Sequence, residues 1–202
     1  MKILVTAFDP FGGASLNPAW EAVSRIPEEW DGAQVARLQV PTVFGDAERA
    51  ALAEAKRISA DIILCIGQAG GRSSISVERV AINLDDAPIP DNRGNQPIDR
   101  PISENGAPAY FSSIPVKEIA EAIRQAGVPA ELSCTAGTYV CNHLLYRVLE
   151  DSALHHPDRK CGFLHVPYLP EQVIHQSRTP SMSLDTILRG LEAALAAIIR
   201  CC

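Results

Sequence analysis

Six cysteines, at 65, 134, 141, 161, 201 and 202, and five histidines are the residues of this chain best suited to nucleophilic chemistry. Cys141 stands out by its surroundings. In Thr135-Ala136-Gly137-Thr138-Tyr139-Val140-Cys141-Asn142, a small-residue turn follows a strand ending near Cys134 and feeds a helix whose first turn holds the thiol. Thiolate is the reactive form of cysteine, and a helix N-terminus lowers a thiol pKa toward neutrality. The same turn offers backbone N–H groups to an oxyanion. Cys65, embedded in an apolar strand, fits the role of a small hydrophobe instead. For Cys141 both readings, reactive and structural, stand on position alone.

A thiol nucleophile needs a base, and the base needs a group that orients it. His165 closes the apolar run Phe163-Leu164-His165-Val166-Pro167-Tyr168 and so reaches the same sheet edge; a core histidine bonded to backbone is the alternative. His143 lies two residues from Cys141 on one helix and therefore on another face. His155 and His156 belong to an exposed helix end. Glu78, in Ser76-Val77-Glu78-Arg79-Val80, is a carboxylate within an apolar extended run. It serves either as the orienter of a histidine or as the partner of a nearby basic group. Cys161 and His165 look like a ligand pair, yet four residues of strand separate them by about 13 Å. That is too far for one zinc with ligands at about 2 Å, and no metal or cofactor is expected.

These residues need strands and helices to gather them. Lys2 to Phe8, Gln34 to Val40, Asp61 to Ile66, Ala130 to Cys134 and Gly162 to Val166 read as strands, with Ile75 to Leu84 as extended chain. Helices are expected from Asn17-Pro18 to about Arg25, from about Gly45 to Ile58, from Pro115 to Gln125 and from Thr138 to about Ser152. A last helix, capped by Ser183, carries Leu184, Ile187, Leu188, Leu191, Leu195, Ile198 and Ile199 at helical spacing. Strands alternating with crossover helices predict an α/β fold. It is a single domain over residues 1–202, with a mostly parallel twisted sheet and helices on both faces. Sites in such sheets form at the carboxyl ends of strands.

Two of those ends carry glycine pairs. Phe8-Asp9-Pro10-Phe11-Gly12-Gly13 places aromatics where they either wall an apolar pocket or fill core. Gly67-Gln68-Ala69-Gly70-Gly71-Arg72 matches neither phosphate-binding glycine pattern and is followed by no strong helix signal. The irregular stretch from Gly67 to Asp99 is too long to be an ordinary connection and reads as functional.

Composition narrows the partners. At 202 residues the chain is long enough to bury roughly 70% of its unfolded surface. With 47% apolar and 21% charged residues it is globular rather than disordered. A net charge of −6 argues against nucleic acid and against acidic membrane surfaces. No run approaches the roughly 18–20 apolar residues of a membrane span. The run Ile3 to Phe8 stops at Asp9, too short for a signal-peptide core. Without such a signal the thiols are expected to be reduced. Cys201-Cys202 lacks a prenylation context and reads as a frayed end.

Taken in order along the chain, these motifs resemble the pyroglutamyl peptidase I family of cysteine exopeptidases. The resemblance runs from Thr6–Gly13 and Leu16-Asn17-Pro18, through Gly67–Arg72, Glu78–Asn83 and Ile89–Asn92, to Thr135–His143 and His165–Tyr168. It implies removal of an N-terminal pyroglutamyl residue from peptides through an acyl-enzyme. Cys141 is the implied nucleophile, His165 the base and then acid, and Glu78 the orienter. The implied pyroglutamyl pocket comprises Phe8, Phe11, Thr42, Gln68, Ile89, Tyr139 and Val140. A cytoplasmic homotetramer without metal or cofactor is implied as well. The lactam ring suits aromatic walls, and the Gln68 amide suits the lactam edge. Many members of that family carry Arg where this chain has Pro88, which removes a positive charge near the implied site. Tyr139 replaces a common Phe and adds a hydroxyl that needs a partner if buried.

Overall fold

The computed structural model describes residues 1–202. Its centre is a seven-stranded sheet of β1 (Lys2–Phe8), β2 (Glu29–Trp30), β3 (Ala33–Val40), β4 (Ile62–Gln68), β5 (Ile75–Glu78), β8 (Ala130–Ser133) and β9 (Lys160–Val166). The spatial order is β2-β3-β1-β4-β9-β5-β8. Strands β3, β1, β4 and β9 are mutually parallel. The pair β5 and β8 is parallel to itself but runs against β9, and β2 runs against β3. The α/β class and the mostly parallel sheet match the expectation.

Strands β1, β4 and β9 are central, so both faces of each are buried. This explains their unbroken apolar runs. Ile3, Val5, Ile62, Leu64, Leu164 and Val166 point into one core layer, under α1 (Pro18–Val23), α3 (Val116–Gln125) and α5 (Leu184–Cys201). Leu4, Phe8, Ile63, Cys65, Cys161 and Phe163 point into the other, under α2 (Asp46–Ile58) and α4 (Val140–His155). The caps read from sequence are present. Asn17 Oδ1 accepts the Ala19 N–H at 3.0 Å, with Pro18 in the first turn, and Ser183 Oγ accepts the Thr186 N–H at 3.3 Å. None of the helices is long and apolar enough to cross a membrane.

Three local features depart from the expectation. The run Ile75–Leu84 is not one strand. It breaks at Arg79 into β5 and β6 (Val80–Ile82), and β6 pairs with β7 (Ala109–Phe111) in a separate two-stranded ribbon. Arg79 bridges the break, its N–H donating to Ser133 and its carbonyl accepting from Ser112. The strands β2 and β7 and the 3-10 turn Pro170–Gln172 are only two or three residues long, too short for a periodic signal. The helix bearing Cys141 starts at Val140 rather than Thr138.

Leu164 is fully buried at the centre of β9. Replacing it by Ala is expected to cost about 2–5 kcal/mol, read as a lower denaturant midpoint at unchanged m-value. A loss below about 1 kcal/mol would show that this layer is not the packed core described here.

Candidate active site

His165 is the penultimate residue of β9 and buried, its ring stacked near Phe163 with centroids 4.7 Å apart. Because β5 runs antiparallel alongside, Glu78 stands opposite Phe163 and diagonal to His165, a spacing that long side chains bridge. His165 Nδ1 lies 2.8 Å from Glu78 Oε1. A carboxylate accepts, so the ring proton sits on Nδ1 and Nε2 is left as the free acceptor. Arg72 Nη1 donates to the same oxygen at 2.7 Å and Nη2 to the Thr135 carbonyl at 3.2 Å. Glu78 therefore touches both the histidine and the basic group that the sequence offered as alternatives.

Charge follows from these contacts. Burial pushes the Glu78 carboxyl up, but donation from His165 and the attraction of its ring outweigh it, with help from Ser133 and Arg72. The net effect holds Glu78 below the usual carboxylate range. Burial holds the His165 imidazole below its ordinary value despite the attraction of Glu78, and the Arg72 charge adds to the depression. His165 is thus an uncharged imidazole at neutral pH.

Cys141 occupies the first turn of α4. Its helix begins at Tyr139, which gives no side-chain cap, so first-turn N–H groups are open to an anion. The sulfur lies over Gly67, where an added Cβ would come within 3.0 Å of Sγ and 2.7 Å of the Phe163 ring. Gly67 is the register partner of His165 on the adjoining strand. Sulfur and imidazole thus belong to adjacent strand positions, whose backbones lie about 4.8 Å apart, and no hydrogen bond joins them. Burial, then the Glu78 charge, pushes the Cys141 thiol up to about 12. This corrects the expectation of a thiol acidified by its helix. The desolvated sulfur faces a carboxylate, and these outweigh the N-terminal dipole and Arg72.

The implied pocket residues divide by depth. Phe11, Gln68 and Ile89 line an open cleft of about 620 Å³, continued by Tyr168, Gln172 and Gln176. Tyr139 is half-buried against Phe11 and Phe44, and its hydroxyl donates to the Pro90 carbonyl at 3.1 Å. Phe8, Thr42 and Val140 lie beneath, each at most 2% exposed. Phe8 packs on Phe163, so the two aromatics of the first loop divide between core and cleft. The Thr42 hydroxyl donates to the Asp9 carbonyl at 3.1 Å. Pro88 is exposed in the same loop.

A polar seam holds these walls. Asp9 Oδ1 accepts from the Thr42 N–H and the Asn92 amide. Asp91 accepts from the Phe44, Arg93 and Asn95 N–H groups. Asn142 clamps β6 to α4, taking the Ile82 N–H and donating to the Ile82 and Leu84 carbonyls. One helical residue further, His143 lies 2.8 Å from Asp85 and 3.6 Å from Glu48. Burial opposes its charge, but donation to Asp85 and the negative charge of both carboxylates raise its pKa to about 9. It is a buried imidazolium that pins the loop to the helix.

The sequence reading set His143 aside as a base and left it without a role. It also passed over Arg72 and Gln172. A buried carboxylate demands a donor, so Glu78 was a signal for Arg72. Nothing local marks Gln172.

The α/β sheet brings a thiol, a neutral imidazole and a buried carboxylate together, the set of groups that a cysteine hydrolase employs. A model of the family described as pyroglutamyl peptidase matches residues 1–201. The pyrrolidone-carboxylate peptidase of Alkaliphilus oremlandii is 54% identical over 199 residues, 98% of this chain and 93% of that protein. That of Levilactobacillus brevis is 53% identical, with 98% of each covered. The crystal structure of pyroglutamyl peptidase I from Bacillus amyloliquefaciens superposes with a TM-score of 0.95 at 48% identity, covering 98% and 94% of the two chains. Pyrrolidone carboxyl peptidase from Pyrococcus furiosus gives 0.94 at 39%, covering 99% of each. The chain belongs to the pyroglutamyl peptidase family.

The His143 cluster sets a pH dependence. A folded pKa near 9 above an unfolded value of about 6.5 stabilises the fold fully below pH 6.5. That contribution is lost as pH rises toward and through 9. The melting temperature is expected to fall over this window by the equivalent of roughly 2–3 kcal/mol. His143→Gln should flatten the fall, and an equally steep fall in that variant would remove His143 as its source.

Proposed function

We propose that this chain hydrolyses the amide bond after an N-terminal pyroglutamyl residue, with Cys141 as nucleophile, His165 as base and then acid, and Glu78 as orienter. The observation that carries the assignment is the 2.8 Å contact between His165 Nδ1 and Glu78. It leaves Nε2 free on a neutral ring, next to the glycine beneath the sulfur.

Nε2 takes the Sγ proton as sulfur attacks the pyroglutamyl carbonyl carbon, and the carbonyl π pair moves to oxygen. The open N–H groups at the start of α4 receive that oxyanion. Its collapse breaks the C–N bond while Nε2–H passes its proton to the departing peptide amine, leaving a thioester. Water, deprotonated by the same Nε2, attacks the thioester, and pyroglutamate leaves as Sγ recovers its proton. Thiol and imidazole both begin neutral, so the proton moves during attack. The carbon–nitrogen bond broken is an amide, and no atom changes oxidation state, so no redox partner is needed.

The cleft explains the amino-terminal preference. Pyroglutamate is a lactam with an apolar ring and no ammonium. An ordinary peptide amine would bring a charge against Phe11, Ile89 and Tyr139 at a cost of several kcal/mol. Arg72 supplies the guanidinium bonded to this constellation, and Pro88 supplies no charge. By the family resemblance the protein works in the cytoplasm as a homotetramer. Exposed Phe111 and Ile82 on one face of the β6–β7 ribbon are apolar surface of the kind an interface covers.

Cys141→Ala is expected to lower kcat for a pyroglutamyl–fluorophore amide by at least about a thousandfold, and iodoacetamide to abolish turnover. Normal turnover in that variant would exclude Cys141 as nucleophile. With a depressed His165, kcat/KM should rise on one limb below about pH 6.5 and then stay level to near pH 9. Removing the Arg72 charge by Arg72→Ala should move that limb upward in pH. A limb that moves downward would contradict the charge arrangement given above.

A further inference from the structure

Gln68 ends β4 with its side chain on the cleft. The two ends of its amide have the same shape and opposite hydrogen-bonding character. Which end faces the cleft decides whether the pocket offers a donor or an acceptor. A chain of contacts decides it. The Leu169 N–H, which can only donate, lies 2.8 Å from the side-chain oxygen of Gln172. The Gln172 NH2 must then face the other way, and it donates to Gln68 Oε1 at 2.9 Å. The Gln68 oxygen is occupied, so its NH2 is turned to the cleft. The backbone at residue 169 thus removes the usual ambiguity of an amide flip.

We propose that Gln172 is a positioning residue. Anchored by the Leu169 N–H in the 3-10 turn Pro170–Gln172, it holds Gln68 as a hydrogen-bond donor to the ring carbonyl of the lactam. The inference rests on the reading of Gln68 as a wall of the pyroglutamyl pocket. It states which lactam atom is recognised. The side chain of Gln68 reads the carbonyl oxygen. A prolyl ring has no such oxygen, so it leaves the Gln68 NH2 without a partner, and the pocket rejects it on that ground as well.

The test measures KM and kcat for a pyroglutamyl amide, with inhibition by two small rings. 2-Pyrrolidone carries carbonyl and N–H, and cyclopentanone carries the carbonyl alone. The proteins are wild type, Gln68→Ala, Gln172→Leu, Gln172→Glu and the double variant Gln68→Ala/Gln172→Leu. Gln68→Ala and Gln172→Leu are each expected to raise KM and both inhibition constants about five- to tenfold, with kcat changed far less. The double variant should be no worse than Gln68→Ala, because Gln172 acts only through Gln68. Gln172→Glu keeps an acceptor for Leu169 but, when ionised, cannot donate. It should turn the Gln68 NH2 away from the cleft and weaken cyclopentanone at an unchanged melting temperature.

Additive losses in the double variant overturn the inference, as does wild-type inhibition of Gln172→Glu by cyclopentanone. Both results leave the pocket reading intact. A Gln68→Ala enzyme with wild-type KM and inhibition constants instead removes Gln68 from the pocket, and the inference with it.

Discussion

Everything at the site depends on one buried carboxylate oxygen. Glu78 Oε1 receives both an imidazole and a guanidinium, and Glu78 is wholly inaccessible to water. A carboxylate so placed is tolerated only when donors replace its hydration. The fold supplies them from β9 and from the loop after β4. Removing either donor leaves a charge in the protein interior, so the arrangement is held as a unit. The sheet topology serves the same end: only a β5 that runs against β9 sets Glu78 diagonal to His165 in this register.

The electrostatic outcome is a neutral pair rather than a stored ion pair. Burial raises the Cys141 thiol and depresses His165, so neither group is charged before a substrate arrives. Cys141 is nonetheless partly exposed. In the proposed mechanism its reactivity depends on the imidazole of the adjoining strand, and Gly67, having no side chain, leaves room for the sulfur.

Much of this was legible in the sequence, and the exceptions have physical causes. Both-face burial produced the unbroken apolar runs that mark β1, β4 and β9, and Asn17-Pro18 and Ser183 announced their helices by cap chemistry. Cys141 was found by a rule that does not hold at its own strand. Strand β8 runs against β9, so its carboxyl end points away from the edge where β4 and β9 finish. The thiol arrives there because the loop of residues 134–139 carries the chain back to that edge before α4 begins. Strand direction lies in long-range pairing, which local periodicity does not record. The pair of roles for Glu78 was visible as two alternatives, since an isolated carboxylate in an apolar run requires donors without saying which. Gln172 is 104 positions from Gln68, and its part is set by a single backbone N–H that no residue type encodes.

The seam of Asp9, Thr42, Asp91 and Asn92 has a consequence for binding. Three chain segments lock one another through hydrogen bonds, most of them from backbone amides, and Tyr139 is tied to the third by its hydroxyl. The cavity is therefore shaped when the chain folds, and a guest has little left to order on entry. Association then loses little conformational freedom. Loosening any one strand of this lattice would weaken ligand selectivity and thermal resistance together, so the two properties are bound to drift in company as the sequence diverges.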